Sequence, residues 1–239
     1  GPLEHHITAD ISIACWNYYC LTRDGQWLRT KAFPLMKAVA DFWVSRVTRN
    51  DDGSYSICNV VGADEYANGV DDNAFTNGAA IRALEYACEA ARICNEPVPE
   101  IWEEVGKGIR ILRFKDGVTR EHATYNGEMI KQSDVNLLGY PLYFVGDAES
   151  QKKDMEYYVD KIDPQNGPAM SYSVFCVQYA RMGDAKRAYE MFCRCYQPNL
   201  RAPFGVLAET PTSDNPYFMT GAGGLLQAVI SGFCGLQIT

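Results

Sequence analysis

Nine segments with apolar residues at helical spacing, separated by loops of varied length, constrain the fold of this chain most strongly. The first two cover residues 7–23 and about 27–47, and Pro34 predicts a break or kink near the middle of the second. The stretch 50–62 instead predicts a short hairpin that turns at Asp52-Gly53. The other helical segments are 78–94, 99–112, 133–145, 148–162, 171–182, 184–196 and 220–233. We therefore predict an all-α fold.

Helices joined by short connections form αα-hairpins, and a series of such hairpins builds either a solenoid or a closed ring. A solenoid shows self-similarity at one spacing, and this sequence has no fixed repeat period. We therefore favour a ring of helical hairpins in a single domain, residues 1–239. The segments are fewer than the twelve helices of a double ring of six hairpins, and helical pattern runs close to both ends. We expect a fragment of a larger domain.

Composition excludes several classes of partner. The chain has 239 residues, 47% of them hydrophobic, and a net charge of −8, which disfavours nucleic-acid and anionic-membrane partners. No apolar run approaches the ~20 residues that cross a bilayer, and no signal-peptide order is present at the N-terminus. The compartment stays undetermined.

Cysteine and histidine residues give no metal site. The nine cysteines are an odd number and lie mostly in helical patterns, so we expect buried free thiols, which mildly favours a reducing compartment. Cys193 and Cys195, two residues apart on a helix, do not face one way and so do not form half of a zinc site. His5 and His6 receive no metal either. We expect no cofactor.

Five acidic side chains occur between Asn59 and Ala87, four of them between Asp64 and Asp72. A calcium loop starting at Asp71 fails, because Thr76 and Arg82 stand where the EF-hand requires glycine and glutamate.

Helix capping is a second explanation of the acidic stretch. Asp72, Asn73 and Asn77 precede or open the next helix, and we expect at least one of them to cap it. Asp64 and Glu65 lie too far upstream to act as caps, so their presence needs another explanation.

Three stretches in order resemble glycoside hydrolase family 65. "GADEYANGVDDNAFTN" is similar to the family's Pro-Asp-Glu-Tyr core followed by Val-[Asp/Asn]-Asn-x-[Tyr/Phe]-Thr-Asn, with Ala63 in place of the proline. "MIKQSDVNLL" resembles its Lys-Gln-Ala-Asp-Val segment, and "FMTGAGGLLQAVISGFCGL" resembles its Gly-Gly-x-x-Gln-Ala-Val block. Within the first stretch, Tyr66-Ala67-Asn68 is similar to the residues found at this point in acid trehalases.

The resemblance implies an (α/α)6 barrel that cleaves α-glucosidic bonds with inversion. The chain would be the C-terminal two-thirds of that barrel, without its N-terminal helices and flanking β-domains. An α-glucoside substrate is implied as the partner, and a homodimer of the full-length protein is left open. The chain would then contain only part of the glucose subsite, so we do not expect full activity from it alone.

Two glutamates receive catalytic roles from the resemblance. Glu65 matches the general acid, and burial together with the neighbouring Asp64 would raise its pKa. Glu209 stands where the family's phosphorylases have Gly-x-His, which favours hydrolysis, with Glu209 as the base that activates water. A phosphate-dependent disaccharide phosphorylase is the alternative, and an inactive carbohydrate-binding or helical scaffold fragment is an alternative from another class.

The remaining candidates concern substrate binding. Lys131 and Gln132 match residues that hydrogen-bond glucose hydroxyls in the family, and Asp64 and Tyr66 flank the acid. The small-residue turn from Thr220 to Gly224 would bind phosphate or merely allow close packing.

One histidine and several aromatic residues are further candidates. His122 lies either at the cleft or, as we prefer, on the surface. Most aromatic residues belong to the core, although one or two would stack on sugar: Trp16, Tyr18, Tyr19, Trp43, Tyr125, Tyr140 and Tyr172.

Overall fold

Helices account for most of the structure, a computed structural model that describes residues 1–144, 147–215 and 217–238. In this part of the chain there are nine α-helices: α1 His6–Thr22, α2 Gly25–Trp27, α3 Phe33–Arg46, α4 Ala74–Cys94, α5 Glu100–Gly108, α6 Ala148–Tyr158, α7 Ser171–Arg181, α8 Ala185–Arg194 and α9 Met219–Gln227. Two antiparallel hairpins of two-residue strands pair β1 Thr48–Arg49 with β2 Tyr55–Ser56, and β3 Leu200–Arg201 with β4 Val206–Leu207. The predicted all-α class is confirmed.

The break or kink predicted at Pro34 is present as a π-helical turn, and the helical turns continue through it. A π-helical turn, Leu28–Ala32, connects α2 to α3, and the N–H of Phe33 donates to the carbonyl of Leu28. Proline has no N–H, and its ring clashes with the carbonyl four residues earlier, so the preceding turn widens.

Helix α4 is the centre of the first helical group, where it packs against α1, α3 and α5. Its small residues let the neighbouring helices approach closely, and Trp43 of α3 and Trp102 of α5 are fully buried beside it. The buried alanines of this helix are Ala74, Ala79, Ala80, Ala83, Ala87, Ala90 and Ala91. The helix therefore carries the core of the N-terminal half.

Helices α7 and α8 form the hairpin of the second group. Gly183, at φ 78°, makes the turn between them, and the Asp184 side chain caps α8 by accepting from the N–H of Arg187 at 3.0 Å. The π-helical segment Ala228–Phe233, which continues α9, packs against α7. The predicted helix-pair organisation holds in this half.

Two predicted helices are shorter than the pattern suggested. The segment 133–145 contains only a 3₁₀ turn, Val135–Leu138, among its described residues, and Val145 lies outside them. Pro141 has no N–H to continue a helix, and a Cβ at Gly139 would lie 2.0 Å from Gln178 Oε1. The helix predicted over 99–112 ends at Gly108.

Loops from distant parts of the sequence meet at the N-termini of α4 and α7. The N–H of Ala74, the first residue of α4, donates to the carbonyl of Glu121 at 2.7 Å. The hydroxyl of Ser171, the first residue of α7, accepts from the N–H of Ser133 at 3.2 Å. These contacts bring the loops that follow β2 and α5 together.

The thiols are free, as predicted, but only four of the nine are buried. All nine cysteines are free; Cys88, Cys94, Cys176 and Cys195 are buried, and Cys234 is exposed. Within the described residues no helix combines the length and the apolar character needed to cross a membrane.

Candidate active site

Asp134 holds the acidic loop against the start of α4. Its side chain is fully buried, and Oδ2 accepts from the N–H of Ala63 and from Asn73 Nδ2, both at 2.9 Å. Oδ1 accepts from the N–H of Phe75, in the first turn of α4, at 3.2 Å. Burial raises the pKa of Asp134 to about 6, although the hydrogen bond from Asn73 opposes the shift. The loop ahead of α4 is thereby fixed in position.

Asn73 is the cap of α4, as the sequence predicts. Its Oδ1 accepts from the N–H of Thr76 at 2.8 Å. Asp72 has a different partner, since its Oδ2 lies 2.7 Å from Arg110 Nη2 in an ion pair. Asn77 donates to the carbonyl of Arg110 at 2.8 Å.

Asp64 is turned into the protein and joins two segments. It is 2% exposed, and its Oδ1 accepts from the N–H of Lys131 at 2.7 Å and from the N–H of Tyr66 at 3.2 Å. Burial raises the pKa of this carboxyl, and the two backbone hydrogen bonds oppose the rise. Asp64 therefore fixes the backbone of Tyr66, which follows Glu65, and the backbone of Lys131.

Glu65, Lys131 and Glu209 meet on the accessible side of these loops. Lys131 Nζ lies 2.5 Å from Glu65 Oε2 and 4.0 Å from Glu209 Oε1. The side chains of the two glutamates are 51% and 35% exposed. The predicted burial of Glu65 is wrong, because Asp64, not Glu65, points into the interior.

Lys131 keeps its charge in this arrangement. Partial burial lowers its pKa, but the hydrogen bond and charge of Glu65, with the charge of Glu209, outweigh that effect and raise it. The ammonium group of Lys131 therefore interacts with the carboxylates of both Glu65 and Glu209.

Backbone contacts hold the segment that carries Glu209. Its carbonyl accepts from the N–H of Ala169 at 3.1 Å and from Asn199 Nδ2 at 3.0 Å. Asn199 is buried and precedes β3, whereas Ala169 precedes α7. The loop after β4 is thus attached to the base of α7.

Gln132 and Tyr66 extend the loop contacts. Gln132 Nε2 donates to the carbonyl of Ala63. The hydroxyl of Tyr66, a half-exposed residue, donates to Asp163 Oδ2 at 2.8 Å. Backbone and side-chain hydrogen bonds from Asn166 hold the pKa of Asp163 well below its usual range.

A family comparison covers the N-terminal half of the chain, which includes Glu65. The model described as "Glycosyl hydrolase family 65 central catalytic domain" matches residues 1–121, just over half of the chain. The chain belongs to glycoside hydrolase family 65. The family predicted from the three motifs is therefore confirmed.

Curated relatives of this family 65 chain are hydrolases. It is 51% identical to the kojibiose hydrolase of Mucilaginibacter mallensis, over the whole chain and 35% of that protein. Identity is 49% to the kojibiose hydrolase of Flavobacterium johnsoniae, over 35% of that protein. It is 39% to the protein-glucosylgalactosylhydroxylysine glucosidase of Dictyostelium discoideum, over the whole chain and 34% of that protein. The chain spans about a third of the length of these relatives.

A solved structure shares the fold of this family 65 chain. A provisionally named kojibiose phosphorylase from the human microbiome superposes with a TM-score of 0.73 over 97% of the chain and 39% of its own length. Sequence identity is 17%, so this likeness concerns the fold alone.

Three acidic residues of this candidate site, Asp134, Glu121 and Asp163, are not predicted from the sequence as parts of it. Asp134 lies in the predicted helical segment 133–145 and within the quoted Lys-Gln motif. Glu121 and Asp163 belong to loops without periodicity, so no pattern marks them. His122, expected on the surface, is half-buried beside a depression of about 280 Å³ that Asp64 and Glu121 also line.

The small-residue turn is not a loop ahead of a helix. Thr220 to Gly224 lie inside α9, and a Cβ at Gly224 would lie 2.7 Å from Ser173 Oγ. Close packing between α9 and α7 accounts for that glycine. In the described part of the chain, no group of three or more His, Cys, Asp or Glu side chains is placed to hold a metal ion.

Proposed function

We propose that this protein hydrolyses an α-glucosidic bond with inversion, with Glu65 as general acid and Glu209 as general base. The observation that carries the proposal is the convergence of these two carboxylates, from distant parts of the sequence, on the ammonium group of Lys131. Glycosidases use such a pair, one carboxyl on each side of the scissile bond.

The proposal of inversion rests on the family resemblance and not on the spacing of the pair. Lys131 Nζ is 2.5 Å from Glu65 Oε2 and 4.0 Å from Glu209 Oε1, so these two oxygens are separated by at most the sum of those distances, about 6.5 Å. Inverting enzymes place the carboxyl groups roughly 6.5–9.5 Å apart and retaining enzymes roughly 5–5.5 Å apart, and this upper limit is compatible with both.

The reaction needs Lys131 to leave Glu65. A general acid must hold a proton, whereas the ion pair with Lys131 uses the ionised form of Glu65. We infer that hydroxyls of the bound glucose take over Lys131 and that Glu65, released from the ion pair, takes up a proton from solvent water. The protonated Glu65 then donates that proton to the glycosidic oxygen. Glu209 then removes a proton from the water that attacks the opposite face of the sugar, and β-glucose leaves.

The neighbouring residues orient the sugar in this proposal. Lys131 donates to glucose hydroxyls, and Gln132, already bound to Ala63, offers its remaining amide atoms. Tyr66 presents an exposed ring beside Glu65. Asp64 acts indirectly, through its hydrogen bonds to the backbone N–H groups of Tyr66 and Lys131. Residues 1–239 would form part of an (α/α)6-barrel catalytic domain.

The substrate that we propose first is kojibiose, an α-1,2-linked glucose disaccharide. Two relatives that are about half identical to the whole chain are named for its hydrolysis. A relative at 39% identity is named for glucosylgalactosylhydroxylysine, so a glucosylated glycan is the next substrate to test.

Proton NMR of fresh reactions tests this function. The longest gene product that contains this chain is incubated with kojibiose, trehalose, nigerose and maltose, with and without phosphate. We expect β-glucose to appear first from kojibiose, independently of phosphate. Early α-glucose would overturn inversion, and β-glucose 1-phosphate formed only with phosphate would replace the hydrolase by the phosphorylase.

A further inference from the structure

Glu121 is a buried acid that the proposed mechanism does not use. It has no exposed surface, and neither of its carboxyl oxygens accepts a hydrogen bond from a donor among the described residues. Its backbone is fixed, since its carbonyl accepts from the N–H of Ala74 at the start of α4. An ionised carboxylate without a partner is very costly in such a place.

The surroundings of Glu121 are acidic. Burial, followed by the charges of Asp134 and Asp64, raises the pKa of Glu121 to about 10. The charge of Glu128 also raises the pKa of Glu121, and Glu121 in turn contributes to the raised pKa of Tyr125 and of Tyr158. At neutral pH this side chain therefore carries a proton, which makes it a hydrogen-bond donor.

Asp64 is the acceptor that faces it. A side-chain hydrogen bond from Glu121 lowers the pKa of Asp64, opposing the effect of burial. Both residues line the same depression beside the acidic loop. The Oδ1 atom of Asp64 already accepts from the N–H groups of Lys131 and Tyr66.

We propose that Glu121 is a positioning residue for the hydrolysis proposed above: its protonated carboxyl donates a hydrogen bond to Asp64 and thereby fixes Glu65 relative to Lys131. The inference rests on that proposed function for its catalytic consequence. A neutral donor holds the Asp64 carboxylate in one orientation without adding a charge. Asp64 in turn sets the backbone beside Glu65 and at Lys131, so its rotation would move both reacting groups.

A pair of variants separates donation from packing. Glu121→Gln keeps the shape and a donor, whereas Glu121→Met keeps a similar volume without one. We expect Glu121→Gln to retain kcat within about threefold and Glu121→Met to lose about tenfold to a hundredfold in kcat with a smaller change in KM, because small misplacements of reacting groups are costly. Circular dichroism and thermal unfolding check that both variants fold, and Glu128→Gln is the control on a neighbouring exposed acid.

Two outcomes of this comparison would overturn the proposal. Wild-type rates in folded Glu121→Met would show that no donor is needed. Loss of activity in Glu121→Gln as severe as in Glu121→Met would show that a neutral donor is not what the site requires.

Infrared spectroscopy tests the proton without using activity. At neutral pH the wild-type protein should show the carbonyl stretch of a protonated carboxylic acid, and Glu121→Gln should lack that band. The band should persist to about pH 9, because burial raises the pKa of Glu121 to about 10. A spectrum unchanged by Glu121→Gln would overturn the proposal. If the wild type hydrolyses no α-glucoside, the proposed function fails, and this band still decides whether Glu121 holds the proton.

Discussion

The backbone N–H of Lys131 donates to Asp64 Oδ1 at 2.7 Å and joins two segments that are 67 residues apart in sequence. The side chain of the same lysine reaches Glu65. The backbone N–H of Lys131 thus fixes the position of the loop, and the side chain supplies the positive charge next to Glu65. A substitution that changes the side chain removes the charge and keeps the hydrogen bond that places the loop.

Lys131→Met should reduce kcat/KM by about a hundredfold and leave thermal unfolding nearly unchanged. The variant loses the donor for glucose hydroxyls and the charge between Glu65 and Glu209, while its N–H still binds Asp64. Steady-state kinetics on kojibiose and a melting curve measure the two effects. Lys107→Met is the control, because its side chain is exposed and pairs with Glu103 at the surface. Equal losses in both variants would contradict the role of Lys131.

Glu65→Gln should lower kcat on unactivated glucosides by about a hundredfold to ten-thousandfold, since it cannot protonate the leaving oxygen. Its shape is kept, so the dissociation constant of kojibiose, measured by calorimetry, should change little. Glu149→Gln, on an 81% exposed side chain of α6, is the matched control. Full activity in Glu65→Gln would show that another group is the acid.

Glu209→Ala should lower the rate of hydrolysis by a similar factor, about a hundredfold or more, because no other group then activates the water. The loop that carries Glu209 is held by its backbone carbonyl, so the truncation should not unfold it. Product formation is followed with and without phosphate. An unchanged rate that depends on phosphate would exclude Glu209 as the base and favour phosphorolysis.

Sequence patterns predicted the elements whose contacts are local. The predicted segment 78–94 has the same C-terminal end as α4, whereas α4 begins earlier, at Ala74, directly after the cap at Asn73. The segment 133–145 shows the limit, because Asp134 there bonds to the distant loop at Ala63 and the chain follows those contacts instead of a helix.

Motif resemblance identified residues of the site but not their surroundings. The quoted motifs predict Glu65 and Lys131 as site residues. The burial expected for Glu65 is found instead at the neighbouring Asp64. Burial depends on which loops meet in space, and Glu121 and Asp163 come from loops that neither periodicity nor motif marks.

Asp163 gives stability a specific dependence on pH. Hydrogen bonds from Asn166 and Tyr66 hold the folded-state pKa of Asp163 well below its usual range, so its ionised form stabilises the fold. That contribution is complete above the unfolded pKa of about 4 and is lost as pH falls below it, toward the folded pKa. Urea unfolding at several pH values should show Asp163→Asn less stable than wild type at pH 7 and the difference shrinking below about pH 4. The exposed Asp160→Asn should show no such trend; a constant difference for Asp163→Asn would contradict the argument.

Gly62 lies where no side chain fits, directly ahead of the acidic loop. A Cβ at this position would lie 2.3 Å from Asn73 Nδ2 and 2.4 Å from Asp134 Oδ2, two atoms that hydrogen-bond to each other. Gly62→Ala must therefore displace the cap of α4 or the carboxylate that fixes Ala63. We expect a loss of about 1–3 kcal/mol in the free energy of unfolding, the usual cost of overpacking, together with reduced kcat.

Gly25→Ala provides the matched control for this substitution, because nothing lies within 4 Å of its added Cβ. Its free energy of unfolding should stay within about 0.5 kcal/mol of wild type. Denaturant unfolding measures both variants. If Gly62→Ala is as stable and as active as Gly25→Ala, the packing of Asn73 and Asp134 against the loop is not what positions Glu65.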